Sequence, residues 1–220
     1  LEDRGFEYAR AFQNRVIEWI HDGTDPVSVV RAPTGGGKTA TFYELIDSRD
    51  MTLLVYPTNA LLRQQRERFE DDDVDVAVLN ANTLEGHGHE RTEQLIGFVN
   101  TYAADYDAIL TNPDILQAAI QDMYVGSDPM RFFDWFDAIV YDEFHFYEAL
   151  SASGLLLQIK IIAERQSDPK ILLASATPNQ EFVEFLRDQV GLTVQDIDAN
   201  YDPDGDQFRH RMIVRRHEDR

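Results

Sequence analysis

The sequence predicts an α/β fold in which a parallel sheet is covered by helices on both faces. Three observations carry that prediction. Short aliphatic runs recur along the 220 residues, at Val27–Val30, Met51–Tyr56, Val74–Leu79, Ala108–Leu110, Ala138–Tyr141 and Ile171–Ala174. They are apolar nearly throughout instead of alternating, which is the pattern of strands buried on both faces. Stretches of helical pattern separate most of them, and a parallel pair needs such a crossover. Polar motifs follow directly on several runs, where an open parallel sheet places its ligands.

Each unit can be justified in turn. Val27–Val30 is followed by Arg-Ala-Pro-Thr-Gly-Gly-Gly-Lys-Thr at residues 31–39 and then by a helical pattern over Lys38–Ile46. Thr34 and three glycines, Gly35, Gly36 and Gly37, can curl the backbone into a nest of N–H groups around a polyphosphate. Lys38 then reaches the terminal phosphates and the Thr39 hydroxyl can ligate magnesium. Ala32 stands where the usual pattern opens with glycine. A plain glycine-rich turn has no use for Lys-Thr at a helix start. Met51–Tyr56 leads to a helix over Ala60–Phe69. Ala138–Tyr141 ends in Asp142-Glu143-Phe144-His145, about a hundred residues after the phosphate loop. There one carboxylate, Asp142, can hold magnesium through water, while Glu143 orients or deprotonates the water that attacks a phosphate. Two histidines in the irregular stretch 80–90, His87 and His89, supply too few ligands for a metal by themselves. That stretch reads as a surface loop.

Composition bounds the class. With 43% hydrophobic residues the chain can fill the core of one domain. Residues 1–200 are expected to form it, with 201–220 a linker or the start of a further domain. No run approaches the ~20 apolar residues of a membrane span, and no signal segment opens the chain, so a cytoplasmic protein without membrane contact is expected. The absence of cysteine excludes disulfides and thiolate zinc sites. Net charge is −20, and only three of the 20 basic residues are lysine. This excess is spread along the chain, the pattern of salt-adapted proteins, and in molar salt a screening length of about 3 Å removes most of the self-repulsion.

With these motifs in order, the chain resembles the superfamily 2 helicases of the DExH type over nearly its whole length. The fold implied is a RecA-like first motor domain, binding ATP and Mg²⁺ through the phosphate loop and the Asp142–Glu143 pair. Gln13, about eighteen residues before that loop, matches the residue that reads the adenine edge in the family. Tyr56-Pro57-Thr58-Asn59-Ala60-Leu61 is similar to motif Ia, with Pro57, Thr58 and Asn59 the expected contacts, and Thr111-Asn112-Pro113-Asp114 to motif Ic, with Thr111, Asn112 and Pro113; both motifs grip the nucleic-acid backbone in the family. Ser175-Ala176-Thr177-Pro178 is similar to motif III, so His145 is expected to join the nucleotide site to Ser175 and Thr177.

Asp-Glu-Phe-His followed by an aromatic residue, together with Ala-Pro-Thr-Gly-Gly-Gly-Lys-Thr, looks most like the helicase of type I CRISPR effector systems, with type I-D the preferred subtype. That resemblance implies a motor acting on single-stranded DNA displaced by a guide-RNA complex, in antiviral defence. The nuclease of such systems is a metal-dependent HD domain that nothing in this chain resembles, so it is expected as a separate domain or subunit. A second RecA-like domain, bearing the arginine finger, is also expected as a partner, because Arg215 and Arg216 are not followed by a fold that could place them. Lacking it, these 220 residues are expected to bind nucleotide weakly and to hydrolyse it poorly, since a missing finger costs about 10³–10⁵ in rate in related phosphoryl transfers. An RNA or repair helicase of the same superfamily, and a nucleotide-dependent clamp or scaffold that moves no strand, are the alternatives.

The buried runs leave Trp19, Trp135 and the phenylalanines as expected core. Arg63 and Arg66 can form a small basic face, or pair with Glu67 and Glu70 as an ordinary solvated surface. So acidic a chain cannot lean on counterion release; Thr58, Asn59, Thr111, Asn112 and backbone amides must grip phosphates by hydrogen bonds. Strand binding by the intact enzyme should therefore depend only weakly on salt. Binding titrations from low to molar salt should give a log–log slope well below the roughly 4–7 that 6–10 phosphate contacts produce on single strands.

Overall fold

The computed structural model describes residues 8–84, 91–102, 104–121, 130–178, 180–199 and 210–211. In chain order the elements are β1 (Tyr8–Ala9), α1 (Ala11–Asp22), β2 (Val27–Arg31), α2 (Lys38–Ser48), β3 (Thr52–Val55), α3 (Asn59–Asp71), β4 (Val76–Leu79), α4 (Ala81–Leu84), α5 (Arg91–Tyr102), β5 (Ala108–Thr111), α6 (Pro113–Gln121), α7 (Met130–Phe133), β6 (Ala138–Asp142), α8 (His145–Arg165), β7 (Lys170–Ser175), α9 (Gln180–Asp188), β8 (Val194–Asp198) and β9 (His210–Arg211). Among the described residues, seven strands form one sheet in the order β4-β5-β3-β6-β7-β2-β8, while β1 and β9 make a short antiparallel pair. Every pairing within the large sheet is parallel, as the aliphatic runs and their crossovers predict.

Alternation along the strands splits the core in two. Val30, Leu54, Leu110, Val140 and Leu172 face one side, where they pack with Phe12, Val16 and Ile20 of α1, Phe42 and Leu45 of α2, and Phe69 of α3. Val29, Leu53, Ile109, Ile139, Ile171 and Leu173 face the other, against Leu95 and Phe98 of α5, Leu116 of α6, Ile159 of α8 and Val183 of α9. Both faces of the sheet are covered, so the polar groups that carry chemistry are confined to the edge where the strands end.

Several features depart from the sequence reading: α4 is helical inside the stretch 80–90 read as a surface loop, and Phe146 and Phe185, expected in the core with the other phenylalanines, are 50% and 45% exposed. β8 is a strand where the sequence shows no aliphatic run: its residues are Val-Gln-Asp-Ile-Asp, of which only Ile197 is fully buried, because it is an edge strand beside β2. Trp135, expected in the core, is 41% exposed just after α7, whereas Trp19 is 1% exposed and donates its indole N–H to Asp25 O at 2.8 Å. Lys170 is an internal tie at the opposite edge of the sheet, with Nζ 2.5 Å from Gly23 O and 5.4 Å from the Trp19 ring centre. Burial lowers the pKa of that ammonium, against the opposing pull of Asp168. No helix among the described residues is long and apolar enough to cross a membrane. His87, His89 and, apart from His210 and Arg211, the stretch 201–220 lie outside the described residues.

Candidate functional site

The phosphate loop joins β2 to α2, and its shape follows from its glycines. Gly37 precedes α2 with φ of 92°, a left-handed conformation that glycine adopts without strain. A Cβ there would also lie 2.7 Å from Gln13 Nε2. At Gly36 a Cβ would come within 2.7 Å of the Pro33 carbonyl oxygen, so the loop closes on itself only without side chains. Thr34 and Gly35 are exposed at its crest.

Gln13 braces this loop from α1. Its Oε1 accepts the Arg10 backbone N–H at 2.6 Å, closing the first turn of the helix, and its Nε2 donates to Gly37 O at 2.8 Å. Both ends of the amide are thus engaged inside the protein, and the side chain is 6% exposed. It holds the loop in place.

Lys38 is 7% exposed and crosses to the far side of the crevice. Its Nζ donates to Ala32 O at 3.1 Å and to Glu143 Oε1 at 3.0 Å. The sheet order explains the reach. β7 lies between β2 and β6, so the loop after β2 and the carboxylates after β6 stand two strand spacings apart, about 10 Å. A lysine side chain closes that gap.

Asp142 ends β6 and Glu143 leaves the strand with φ of 51°, unusual for a residue with a side chain. Such strain persists only where surrounding contacts impose it, and it clusters at functional positions. Here the turn is pinned by the Glu143 N–H donating to Asp142 Oδ1 at 3.0 Å and the Phe144 N–H donating to Ala174 O at 3.1 Å. Adjacent carboxylates therefore point in different directions, as the two expected roles require. Burial, with the neighbouring Glu143 charge, pushes the Asp142 carboxyl up to about 6; Lys38 and the Glu143 backbone amide oppose the shift.

A carboxylate so placed lacks positive charge. Thr39 follows Lys38 on α2, and its hydroxyl, like the Asp142 carboxylate, is a hard oxygen donor of the kind that magnesium takes. Among the described residues no group of three His, Cys, Asp or Glu gathers into a ligand set of its own. Thr39 Oγ1 also accepts a hydrogen bond from Arg68 of α3 at 3.3 Å, a neighbour that the sequence reading missed.

His145 opens α8, with Nδ1 2.8 Å from Ser175 Oγ and 3.4 Å from Glu143 Oε2. Ser175 ends β7, is fully buried, and accepts the Thr177 backbone N–H at 3.1 Å. The expected link to the loop after β7 is present, but Thr177 enters it through its backbone; its side chain is exposed.

The residues expected to grip nucleic acid line the same edge of the sheet, further along. Thr58 caps α3, its Oγ1 accepting the Leu61 N–H at 3.2 Å, and Asn112 caps α6 in the same way through the Ile115 N–H at 3.2 Å. Pro113 fits the first position of α6, where a missing N–H costs nothing. Asn112 Nδ2 donates to Asn59 Oδ1 at 2.9 Å, tying the two loops together. Pro57 and Pro113 are half-buried, while Thr58 and Asn59 are exposed. Thr111 departs from expectation: it is fully buried and its hydroxyl donates to Leu79 O at 2.9 Å, so its side chain ties β5 to β4 instead of facing a strand.

Between these caps lies a cavity of about 230 Å³, lined by Asn59, Arg63, Asn80, Asn82, Asn112 and Asp114 among others. Asn80 and Asn82 escaped the sequence reading, although they directly follow a strand end, the rule that located the other motifs. The two alternatives for the arginines divide: Arg63 lines this cavity, while Arg66 pairs with Glu70 at 2.7 Å on an exposed helix face.

Comparison with known proteins places this geometry. The DEAD/DEAH box helicase family matches residues 10–185. No curated protein matches the chain in sequence. Among solved structures, the chain is similar to the Hef helicase domain of Pyrococcus furiosus, at 18% identity and a TM-score of 0.60 over 89% of this chain and 38% of that one. It is also similar to a hypothetical ATP-dependent RNA helicase from Sulfolobus tokodaii, at 25% identity and 0.55 over 90% of this chain and 54% of that one. A DEAD box protein from Methanococcus jannaschii gives 21% and 0.58, over 90% of this chain and 52% of that one. This chain spans about two-fifths to one-half of the length of these three structures.

Asp142 provides a direct check on the site's electrostatics. Its carboxyl titrates at about 6 when folded, against an ordinary value of 3.8, so the folded state holds the proton more tightly. Burying the charge therefore costs stability above pH 6, and the cost fades as pH falls toward 4. Asp142→Asn should stabilise the nucleotide-free chain at pH 7.5 by about 1–2 kcal/mol, allowing for solvent screening, and by almost nothing at pH 4. Urea unfolding of both proteins at the two pH values measures this. The phosphate loop, the carboxylate pair after β6, the histidine bonded to the strand between them, and the matched residues 10–185 together place this chain in the DEAD/DEAH box helicase family.

Proposed function

We propose that this chain is the ATP-binding motor domain of a superfamily 2 DExH helicase that couples ATP hydrolysis to movement on single-stranded DNA in CRISPR interference. The observation that carries the ATPase part is the 3.0 Å pair between Lys38 of the phosphate loop and Glu143. It supports a reading in which Glu143 is the base and Lys38 the phosphate-binding lysine of one crevice, with Asp142 and Thr39 next to them in the chain.

In this reading the triphosphate enters over the loop amides and Lys38 turns from Glu143 to the β- and γ-phosphates. Glu143, released, orients the attacking water in line with the γ-phosphate and accepts its proton. Thr39 and Asp142 would hold magnesium, which when bound would supply positive charge against the phosphate oxygens. Gln13, whose amide is engaged by Arg10 N–H and Gly37 O, would have to release one of these bonds to read the adenine edge, the role its family resemblance implies. His145 reports the state of Glu143 to Ser175, because it lies within 3.4 Å of one and 2.8 Å of the other. The loops after β3 and β5 grip the strand through helix-terminal amides and Asn59, since the Thr58 and Asn112 side-chain oxygens are occupied as caps.

Support for the CRISPR setting is the local resemblance of Asp-Glu-Phe-His-Phe and the Ala-Pro-Thr-Gly-Gly-Gly-Lys-Thr loop to the type I helicases. The partners this reading names are a guide-RNA effector complex, a separate nuclease domain or subunit, and a second RecA-like domain completing the ATP site; the acidic composition suits a salt-rich cytoplasm. A second reading, an RNA helicase, is favoured by the Sulfolobus tokodaii relative, whose description is that of an RNA helicase.

In the full-length enzyme Glu143→Gln should retain ATP binding while turnover falls by about 10²–10⁴-fold, the range for loss of a general base. Nucleotide-binding and phosphate-release assays measure both, and unchanged turnover would transfer the base role elsewhere. Run on matched DNA and RNA strands, the wild-type assay separates the two readings. Recovery of guide RNA and effector subunits with the protein from its source cell tests the CRISPR setting.

A further inference from the structure

We propose that Tyr56 is a positioning residue for Asp142, its hydroxyl donating a hydrogen bond to that carboxylate when magnesium and nucleotide fill the crevice. The inference rests on the nucleotide reading above and adds a residue to it. Strand register brings the two side chains together. Val55 of β3 pairs with Tyr141 of β6, so the next residues along each chain, Tyr56 and Asp142, lie level with one another at the carboxyl edge. Alternation then points both toward the α2 face. Leu54 and Val140, two residues earlier on each chain, pack in the cluster that contains Phe42 and Tyr43 of α2, and Tyr56 itself belongs to that cluster.

The Tyr56 hydroxyl is the anomaly. The residue is 1% exposed, and its oxygen has no hydrogen-bond partner among the described residues. A buried hydroxyl left unpaired is costly and rare in folded proteins, and such groups mark catalytic positions or sites for a missing partner. The polar groups around it are committed elsewhere. Tyr43 OH is bonded to Asp72, and Arg68 donates to Thr39 Oγ1 at 3.3 Å. Asp142 Oδ1 accepts the Glu143 N–H, and this leaves Oδ2 as the acceptor to be oriented. A phenol keeps its proton at neutral pH, so Tyr56 meets the carboxylate as a donor. A donor of this kind fixes the carboxylate as the carboxylate in turn fixes the ion, which is how outer partners set the affinity of metal ligands.

The test is Tyr56→Phe, which keeps the ring and removes only the hydroxyl. A fluorescent ATP analogue is titrated onto the 220-residue chain over a range of Mg²⁺ and again in EDTA, with wild type, Tyr56→Phe, Asp142→Asn and the double variant. The expected result is a Mg²⁺ midpoint about 10- to 100-fold higher in Tyr56→Phe, the range for losing an outer partner of a metal ligand. Affinity in EDTA and the melting temperature of the nucleotide-free chain should be unchanged or higher. On the Asp142→Asn background the second substitution should cost less than in wild type, because the charged carboxylate that the hydroxyl orients has become a neutral amide acceptor. An unchanged Mg²⁺ midpoint overturns the proposal, and so does an equal loss in EDTA or in the Asp142→Asn background, either of which would make Tyr56 a packing residue. Wild-type chain that binds no analogue at any Mg²⁺ concentration would sink the nucleotide reading itself, and this inference with it.

Discussion

The ion pair between Lys38 and Glu143 is the contact around which the molecule is arranged. It spans the ends of two strands that are not neighbours, and it exists because β7 separates β2 from β6 by one position in a strictly parallel sheet. Parallel strands deliver all their carboxyl ends to one edge, so residues more than a hundred apart in sequence meet without a special connection. Both faces of the sheet are sealed by helices, and this leaves that edge as the place where polar groups can meet solvent and ligand.

The site is held ready by contacts that occupy its own polar groups. Gln13 is fastened at both ends, and Glu143 is strained in the left-handed region while one of its oxygens is bonded to Lys38. Asp142 carries a charge that its surroundings disfavour. The strain and the buried charge are costly for the empty protein. In the proposed function, phosphates that draw Lys38 away and a cation that reaches Asp142 would offset the cost of the buried charge. Stability invested in this way makes ligand binding differential, and binding of that kind can drive a conformational change.

The edge proposed to meet nucleic acid follows a different logic. Thr58 and Asn112 cap helices, and Asn59 with Asn112 joins the two caps, so the surface is built from neutral, mutually satisfied amides and hydroxyls. With a net charge of −20 the chain has few cations to place there, and Arg63 is the basic residue that lines the cavity between the caps. A grip of this kind depends on geometry more than on ionic attraction.

Much of this is legible in the sequence because it depends on local chemistry. Six aliphatic runs announce six of the parallel strands, and the Gly-Gly-Gly-Lys-Thr and Asp-Glu-Phe-His segments declare themselves by residue types that a turn alone does not need. β8 escapes such a reading because an edge strand has only one neighbour to satisfy and carries polar residues on its open side, so Val-Gln-Asp-Ile-Asp looks like loop. Thr111 misleads because a hydroxyl after a strand has the same letter whether it faces solvent or a neighbouring carbonyl. Trp135 misleads because hydrophobicity alone cannot say where a short helix ends at the surface. What the sequence determined by itself was the set of elements and the chemical kind of each motif, since backbone conformation and phosphate affinity are properties of nearby residues. Strand order, the register that sets Tyr56 beside Asp142, and the placing of Arg68 against Thr39 were decided only in the tertiary structure, because they depend on which surfaces bury one another and no window of the chain contains both partners.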